Sequence, residues 1–432
     1  MDEFKLDDNV FEQIKSFNHK NLTKEQKLRI DKLILNEELK KRYKNNGLCK
    51  ECKQLKASPL CCQCKFQKNF KNWASGNHEI DEFIQSVQVN AKGDEILEWI
   101  EYDRFENVEY LSKGGFGTIY KAIWKDGIKE NFPFVVKCLH NSQNITSDFL
   151  KEVGLHVIID SPCIIRCYGI TKDPESNDFM MVMAYAENGS LRHHLNNNFN
   201  SMKWEEKLKI LMSIAFGLYK IHKNRLVHRD FHCGNILNSI NNVADIIDLG
   251  LCRPGVLPYV APEVLKGKEY TQESDIYGFG IIAYEVCTGL PPYHDIAHDE
   301  FLAIKICQVR RPGSNYKIPQ LILNIINQCW NADPLKRPKA RELTDLLDDL
   351  FYSAEVYDGS HEIKKQIEEA DKINEKLASP SLLYNTGTTL SYTTDPQAIY
   401  TSRLLDFKNL PEPKNTIDNK DDDNSFGEYS GN

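Results

Sequence analysis

The spacing of apolar positions changes character several times along the chain. Residues 22 to 44 carry Leu28, Leu33, Leu35, Leu39 and Tyr43 at approximately helical intervals. Thr23 and Gln26 form a capping-box pattern ahead of them, and Asn46 and Gly47 close the run, so the pattern predicts one helix there. Its remaining face is charged, which suits a solvated helix docked on a neighbour. Residues 65 to 98, including SGNHEIDEFIQ, read as one or two short helices. From residue 101, short apolar runs such as FVVKCL and MMVMAY mark strands, with one helical stretch between them. Longer helical patterns follow in EEKLKILMSIAFGLYKIH and SDIYGFGIIAYEVCTG. This order predicts an α+β architecture, a small sheet-rich lobe before a larger helical one. Further on, HEIKKQIEEADKINEKLA places Ile363, Ile367, Ile373 and Leu377 on one helix face, to be covered by the body of the protein or by a partner.

These shifts divide the chain into a helical region (1–44), a cysteine-rich region (45–70), a helical linker (71–100), a main two-lobed body (101–352), a C-terminal helical extension (353–410) and a polar tail expected to be disordered (411–432). The 432 residues, 41% of them hydrophobic, can fill two or three cores. With 62 acidic against 54 basic side chains, the net charge of −8 argues against a surface devoted to nucleic acid. No apolar run is long enough to span a bilayer, and MDEFKLDDNVFEQ lacks an apolar signal segment. A cytoplasmic protein without membrane insertion is expected.

Thirteen cysteines in such a chain point to reduced thiols or metal ligands rather than disulfides. Most lie singly in apolar surroundings, as in RCYGI and YEVCTG, and suit core packing. Five crowd together. CKEC and CCQC, eight residues apart, form two knuckles whose Cys49, Cys52, Cys61 and Cys64 can reach one tetrahedral zinc ion, with Cys62 to spare.

Candidate chemistry concentrates in the main body. KGGFGTIY follows an apparent strand and supplies Gly114, Gly115 and Gly117, which let backbone amides approach phosphate oxygens. Lys137, twenty residues beyond Gly117, is a charge inside an apolar strand and needs an anionic partner, for which Glu152 on the following helix is the best placed. HRDFHCGN puts Asp230 and Asn235 five residues apart, and Asp248 follows thirteen later. Phosphoryl transfer requires a carboxylate near the attacking hydroxyl and oxygen ligands for Mg²⁺, which these three positions can supply.

In this order and spacing, the glycine loop, strand lysine, helix glutamate, HRD, DLG and APE of residues 101–352 resemble a eukaryotic protein kinase domain. HRDFHCGNIL, LPYVAPEVL and SDIYGFG most resemble the tyrosine-kinase-like branch, especially the expanded kinase sets of soil, mycorrhizal-type fungi. The resemblance implies a bilobal kinase fold and an ATP- and Mg²⁺-dependent enzyme of intracellular signalling that modifies Ser or Thr. It assigns Lys137 to the α and β phosphates, Glu152 to its ion pair, Asp230 to the substrate hydroxyl, and Asn235 and Asp248 to magnesium. The nucleotide would lie against Ser112, the glycines, Ile119, Val135, the gatekeeper Met183, the hinge residues Ala184, Tyr185 and Ala186, and Leu237. Glu263 would pair with Arg337, and Asp275 would brace the catalytic loop. A protein substrate is implied but not identified, and the cysteine-rich region or the C-terminal helix could engage a protein partner.

Four departures matter. Ser112 stands at the first glycine position, Leu249 replaces the usual Phe, and His232 and Val256 replace a Lys and a Thr typical of serine/threonine kinases. Only residues 251–260 separate DLG from APE, and residues 251–258 contain no hydroxyl, so Arg229 has no phosphorylated residue there to clamp. The short segment leaves open a second reading, an ATP-binding pseudokinase scaffold with impaired substrate docking. For the cysteine region, metal analysis of the purified protein is expected to find one zinc per chain. Structural zinc contributes roughly 10–16 kcal/mol in isolated fingers, so chelation is expected to loosen residues 45–70 and spare the main body. Protein prepared without chelators that holds no stoichiometric zinc would end this expectation.

Overall fold

The computed structural model describes residues 6–49, 55, 73–90, 97–113, 117–125, 132–139, 142, 147–159, 161–239, 243–249, 255–308, 310–355, 362–377 and 392–415. The chain separates into two compact units, residues 1–158 with 166–185, and residues 159–165 with 186–432.

The first unit opens with helices α1 (Asp8–Ile14), α2 (Lys24–Leu33) and α3 (Glu37–Asn46). The capping box at Thr23 is present: the Gln26 amide donates to Thr23 Oγ1 at 3.2 Å, and the Thr23 amide donates to Gln26 Oε1 at 3.0 Å. The single helix expected over 22–44 is two helices. Ile34 is extended at φ −108°, ψ 97°, and the Asn36 carboxamide accepts the Leu39 amide to start α3. The break also changes the buried face. Leu28 and Leu35 are exposed, whereas Ile30, Ile34, Leu39 and Tyr43 join Ile14 and Leu55 in a small core. Leu48 and Leu55 form an isolated antiparallel bridge beside Cys49, a buried free thiol. Cys52, Cys61, Cys62 and Cys64 lie outside the described residues. Among the described residues there is no cluster of three or more potential metal ligands.

Helix α4 (His78–Asn90) leads into a six-stranded sheet of spatial order β1-β5-β6-β4-β3-β2. Its strands are β1 (Glu98–Trp99), β2 (Phe105–Lys113), β3 (Gly117–Trp124), β4 (Pro133–Leu139), β5 (Cys167–Lys172) and β6 (Phe179–Ala184). Only β1 and β5 pair in parallel. Between β4 and β5 runs α5 (Ser147–Ile158), whose Gly154 faces the ring of Phe83 on α4.

Among the described residues of the second unit, mostly helical, the named strands are β7 (Ile236–Asn238) and β8 (Ala244–Ile246), which pair as a hairpin. Helix α6 (Leu191–Asn198) is capped by Ser190 and precedes α7 (Trp204–Lys223). After the one-turn α8 (Pro262–Leu265) comes α9 (Gln272–Thr288), buried from Ser274 to its end, with a capping box at Thr271 and a left-handed Gly289 (φ 73°) at its C-terminus. Close packing there depends on Gly280, where an added Cβ would lie 2.7 Å from the Trp330 ring. Around these helices lie α10 (Glu300–Cys307), α11 (Gln320–Cys329) and α12 (Ala340–Glu355).

Helix α13 (Glu362–Leu377) realises the pattern seen after residue 352, and the body of the protein covers it. Ile363 and Ala370 are buried, Trp204 Nε1 donates to Asp371 at 2.9 Å, and the Leu321 amide donates to Gln366 at 2.9 Å. Two boundaries differ from expectation. Residues 392–410 are irregular rather than helical, with a turn at 396–397 and a bridge at Arg403, and residues 411–415 are held on the second unit instead of forming part of a disordered tail. Backbone contacts explain this: the Lys414 amide donates to Cys307 O at 3.1 Å, and the Asn415 side chain accepts the Ala332 amide at 2.8 Å. Residues 416–432 lie outside the described residues. Among those described, no helix is long and apolar enough to cross a membrane.

Glu263 and Arg337 form a buried two-pronged ion pair, Nη1 to Oε1 at 2.6 Å and Nη2 to Oε2 at 2.8 Å. Arg337→Met is expected to cost about 3–5 kcal/mol because it strands a buried carboxylate, whereas Arg337→Met with Glu263→Met is expected to cost far less. Urea denaturation of both variants checks this, and equal losses would refute the account.

Candidate active site

The site residues expected from sequence fall in both units. In the first, strand register places them. Ile119 lies opposite Lys137, Lys137 opposite Met181, and Val135 opposite Met183. Directly opposed residues share a sheet face and side chains alternate along a strand. Ile119, Val135, Lys137, Met181 and Met183 therefore line one face. The intervening Ala122, Trp124, Phe134, Val136 and Val182 form the core on the other. On the first face Lys137 Nζ donates to Glu152 Oε1 at 2.9 Å, and only 9% of each side chain is exposed. Phe149 and Val153, buried on α5, hold the helix that carries Glu152.

Ser112 is exposed near the end of β2, opposite Ile119, and Gly117 is buried at the start of β3. Gly114 and Gly115 lie outside the described residues. Ala184 is the last residue of β6, and the two units meet in sequence between Tyr185 and Ala186.

In the second unit, the β7–β8 hairpin aligns the catalytic candidates. Ile236 pairs with Ile246, and the Ile247 amide donates to Asn235 O at 3.0 Å, so Asn235 and Asp248 flank one end of the hairpin. Asn235 Nδ2 donates to Asp230 O at 2.9 Å and to Asp230 Oδ2 at 3.2 Å. Spending its N–H groups this way leaves Asn235 Oδ1 as the atom for a cation. Asp248 has left-handed backbone (φ 57°), and Leu249 beside it is buried. Leu237 is half-buried on β7 and bridges to Ser190.

Asp275 organises the loop before them. Its Oδ2 accepts the His228 amide at 2.8 Å and its Oδ1 the Arg229 amide at 3.0 Å, with His222 Nε2 at 3.0 Å. His228 Nε2 donates to Ile247 O at 3.0 Å, and burial holds the His228 imidazole below its usual range. Arg229 is exposed, with φ 73°.

His232 does more than replace a lysine. Its Nδ1 accepts the Gly234 amide at 3.0 Å, which assigns the proton of the neutral ring to Nε2. Nε2 lies 3.5 Å from Asp230 Oδ1 and 3.3 Å from Ser402 Oγ. Ser402 Oγ in turn donates to Asp230 Oδ2 at 2.6 Å. Burial alone would raise the Asp230 carboxyl, but His232 and the Ser402 hydroxyl outweigh it and hold the group below the ordinary carboxylate range.

Two sets of residues at this site escaped sequence reasoning. Ser402 belongs to a segment with no periodic pattern, and its only cue is a hydroxyl next to Arg403. Arg192, Tyr259 and Glu285 form a buried cluster in which Arg192 Nη2 donates to the Tyr259 hydroxyl at 2.5 Å and Arg192 pairs with Glu285. Its one signal was Glu285 inside the apolar run IIAYEVC, because Arg192 stands in the polar helix LRHHLNNN.

Sequence comparison agrees with the geometry. The family profile described as protein tyrosine and serine/threonine kinase matches residues 105–347, more than half of the chain. The chain belongs to that family. It is 32% identical over 287 residues to the probable serine/threonine-protein kinase roco5 of Dictyostelium discoideum, covering 60% of this chain and 10% of that protein. It is 28% identical over 293 residues to the probable serine/threonine-protein kinase gdt4 of the same organism, covering 62% of this chain and 17% of gdt4. With the human tyrosine-protein kinase FRK it shares 26% identity over 296 residues, covering 63% of this chain and 57% of FRK. The chain thus spans less than two thirds of each relative's length.

A hydrogen bond to a charged acceptor contributes about 1.5–3 kcal/mol. Asp275→Ala is therefore expected to destabilise the protein by about 3 kcal/mol or more, and Asp275→Asn by less. Denaturation curves, with hydrogen exchange at the His228 and Arg229 amides, check this. Unchanged protection of those amides in Asp275→Ala would contradict the bracing role.

Proposed function

We propose that this chain is an active protein kinase that transfers the γ-phosphoryl group of ATP to serine or threonine hydroxyls of proteins in intracellular signalling. The observation that carries this reading is the closed, buried Lys137–Glu152 ion pair, a requirement for phosphoryl transfer in protein kinases. Lys137 would bind nucleotide phosphates, and Asp230 would orient the acceptor hydroxyl and take its proton. Asn235 Oδ1 and the Asp248 carboxylate are hard oxygen donors that suit magnesium. Magnesium, when bound, supplies neutralisation of charge on the phosphate oxygens.

Serine/threonine specificity is supported by the Dictyostelium relatives, while FRK is a tyrosine kinase. A second reading, an ATP-binding pseudokinase scaffold, is favoured by one feature, the short stretch between DLG and APE. We also propose a structural zinc held by Cys49, Cys52, Cys61 and Cys64, supported by the two CxxC knuckles and by the Leu48–Leu55 bridge beside the first. That region is the proposed contact for a protein partner, and the cytoplasm is the proposed location.

Lys137→Met and Asp230→Asn are each expected to lower casein phosphorylation by about a hundredfold or more, with circular dichroism unchanged. Phosphoamino-acid analysis of the wild-type product is expected to give phosphoserine and phosphothreonine. Wild-type turnover in either variant would overturn the mechanism, and phosphotyrosine as the main product would overturn the residue class. A wild-type protein stabilised against heat by ATP and Mg²⁺ yet without turnover would establish the scaffold reading instead.

A further inference from the structure

We propose that Ser402 is the chain's own phosphoacceptor, presented to Asp230 by residues 392–415 in the manner of a bound protein substrate; this rests on the kinase reading above.

The segment lies on the second unit and is anchored on both sides of Ser402. Ahead of it, the Asp395 amide donates to His294 O at 2.8 Å, and the His298 amide donates to Gln397 O at 3.0 Å. The Tyr400 hydroxyl donates to Pro292 O at 2.9 Å, and the Tyr400 ring lies 5.0 Å from the Arg192 guanidinium. Immediately after Ser402, Arg403 forms an antiparallel bridge with Gly255. The Gly255 amide donates to Arg403 O at 3.0 Å, and the Arg403 amide donates to Gly255 O at 3.2 Å. Gly255 belongs to the stretch between DLG and APE, so the chain's own tail pairs with that stretch through a single antiparallel bridge.

Between these anchors the Ser402 hydroxyl is aimed at Asp230. Its Oγ lies 2.6 Å from Asp230 Oδ2, within the reach a general base needs, and 3.3 Å from His232 Nε2. The neighbouring hydroxyl, Thr401, is exposed. The geometry therefore selects one of two adjacent acceptors. In the transfer, a bond forms between Ser402 Oγ and the γ-phosphorus of the nucleoside triphosphate. The bond from that phosphorus to its β,γ-bridging oxygen breaks, its electron pair leaves with the diphosphate, and the hydroxyl proton passes to Asp230. Because acceptor and base are in one chain, the reaction is intramolecular.

The test incubates phosphatase-treated full-length protein with ATP and Mg²⁺, with casein present as an external acceptor, and maps phosphate by mass spectrometry. Ser402 is expected to be labelled at a per-molecule rate that does not change on dilution. Ser402→Thr is expected to move the label to phosphothreonine at the same position. Arg403→Pro, which removes the amide bonded to Gly255, is expected to slow labelling of Ser402 about tenfold. Casein phosphorylation with Ser402 unlabelled, with Thr401 labelled in its place, or with a Ser402 rate that rises with enzyme concentration would overturn this inference alone. Absence of label from both casein and the chain would overturn the kinase reading and this inference with it.

Discussion

Asp275, buried in the first turn of α9, accepts two consecutive backbone amides from the loop that carries Asp230, and the geometry of the second unit's candidate site follows from that constraint. The second amide belongs to Arg229, whose left-handed backbone (φ 73°) costs a non-glycine residue about 1–2 kcal/mol. Two hydrogen bonds to a carboxylate contribute about 3–6 kcal/mol together, enough to hold the loop in that conformation. The next residue is Asp230. Its carboxylate is fixed by the turn before it and by the Asn235 carboxamide after it, and Asn235 is in turn tied to the β7–β8 hairpin that leads to Asp248. A carboxylate remote from the proposed acceptor thus sets the direction of the one proposed to receive its proton.

Each unit also buries an ion pair, and desolvation explains why neither can be read as simple stabilisation. Lys137–Glu152 and Glu263–Arg337 both lie away from water, where removing two charges from solvent costs several kcal/mol each and mutual attraction roughly restores it. What such a pair gains is position. Arg337 also donates to Glu273 O and Asn331 O, each at 2.9 Å, so its guanidinium ties the APE helix to the start of α9 that carries Asp275. Lys137 holds a charge on the sheet face where the register also collects Ile119, Val135 and Met183, while the opposite face carries the apolar cluster around Trp124, Phe134 and Val182.

Much of this was legible in the sequence because the relevant chemistry is local or charge-specific. A lysine in an apolar strand demands a carboxylate, and Glu152 supplies it; the Glu263–Arg337 pair was legible only through the family resemblance. The capping box at Thr23 and the amphipathic pattern of α13 were readable from spacing alone. The break at Ile34 was not, because an approximate 3.6-residue period continues through it and Asn36 competes with the helix only through a side-chain bond to the Leu39 amide. Residues 392–415 were invisible for a different reason. An irregular segment held by bonds to distant residues has no period of its own, so 392–410 was expected to continue the helical extension and 411–415 to begin a disordered tail.

That segment bears on the shortness of the stretch between DLG and APE. Few residues remain there, and loss of a peptide platform is the natural expectation from length. A platform for an extended peptide, however, needs backbone donors and acceptors more than it needs side chains. Gly255 supplies one of each to Arg403. It is also suited to do so, since an added Cβ would lie 2.7 Å from Val260 Cγ2 and 3.0 Å from the Tyr270 hydroxyl. A larger residue at this point would have to displace the Val260 side chain, just before APE, and crowd the Tyr270 hydroxyl. Residues 251–258 carry no hydroxyl for a phosphorylation switch, yet among the described residues of this stretch Gly255 pairs its backbone with the segment that sets Ser402 beside Asp230.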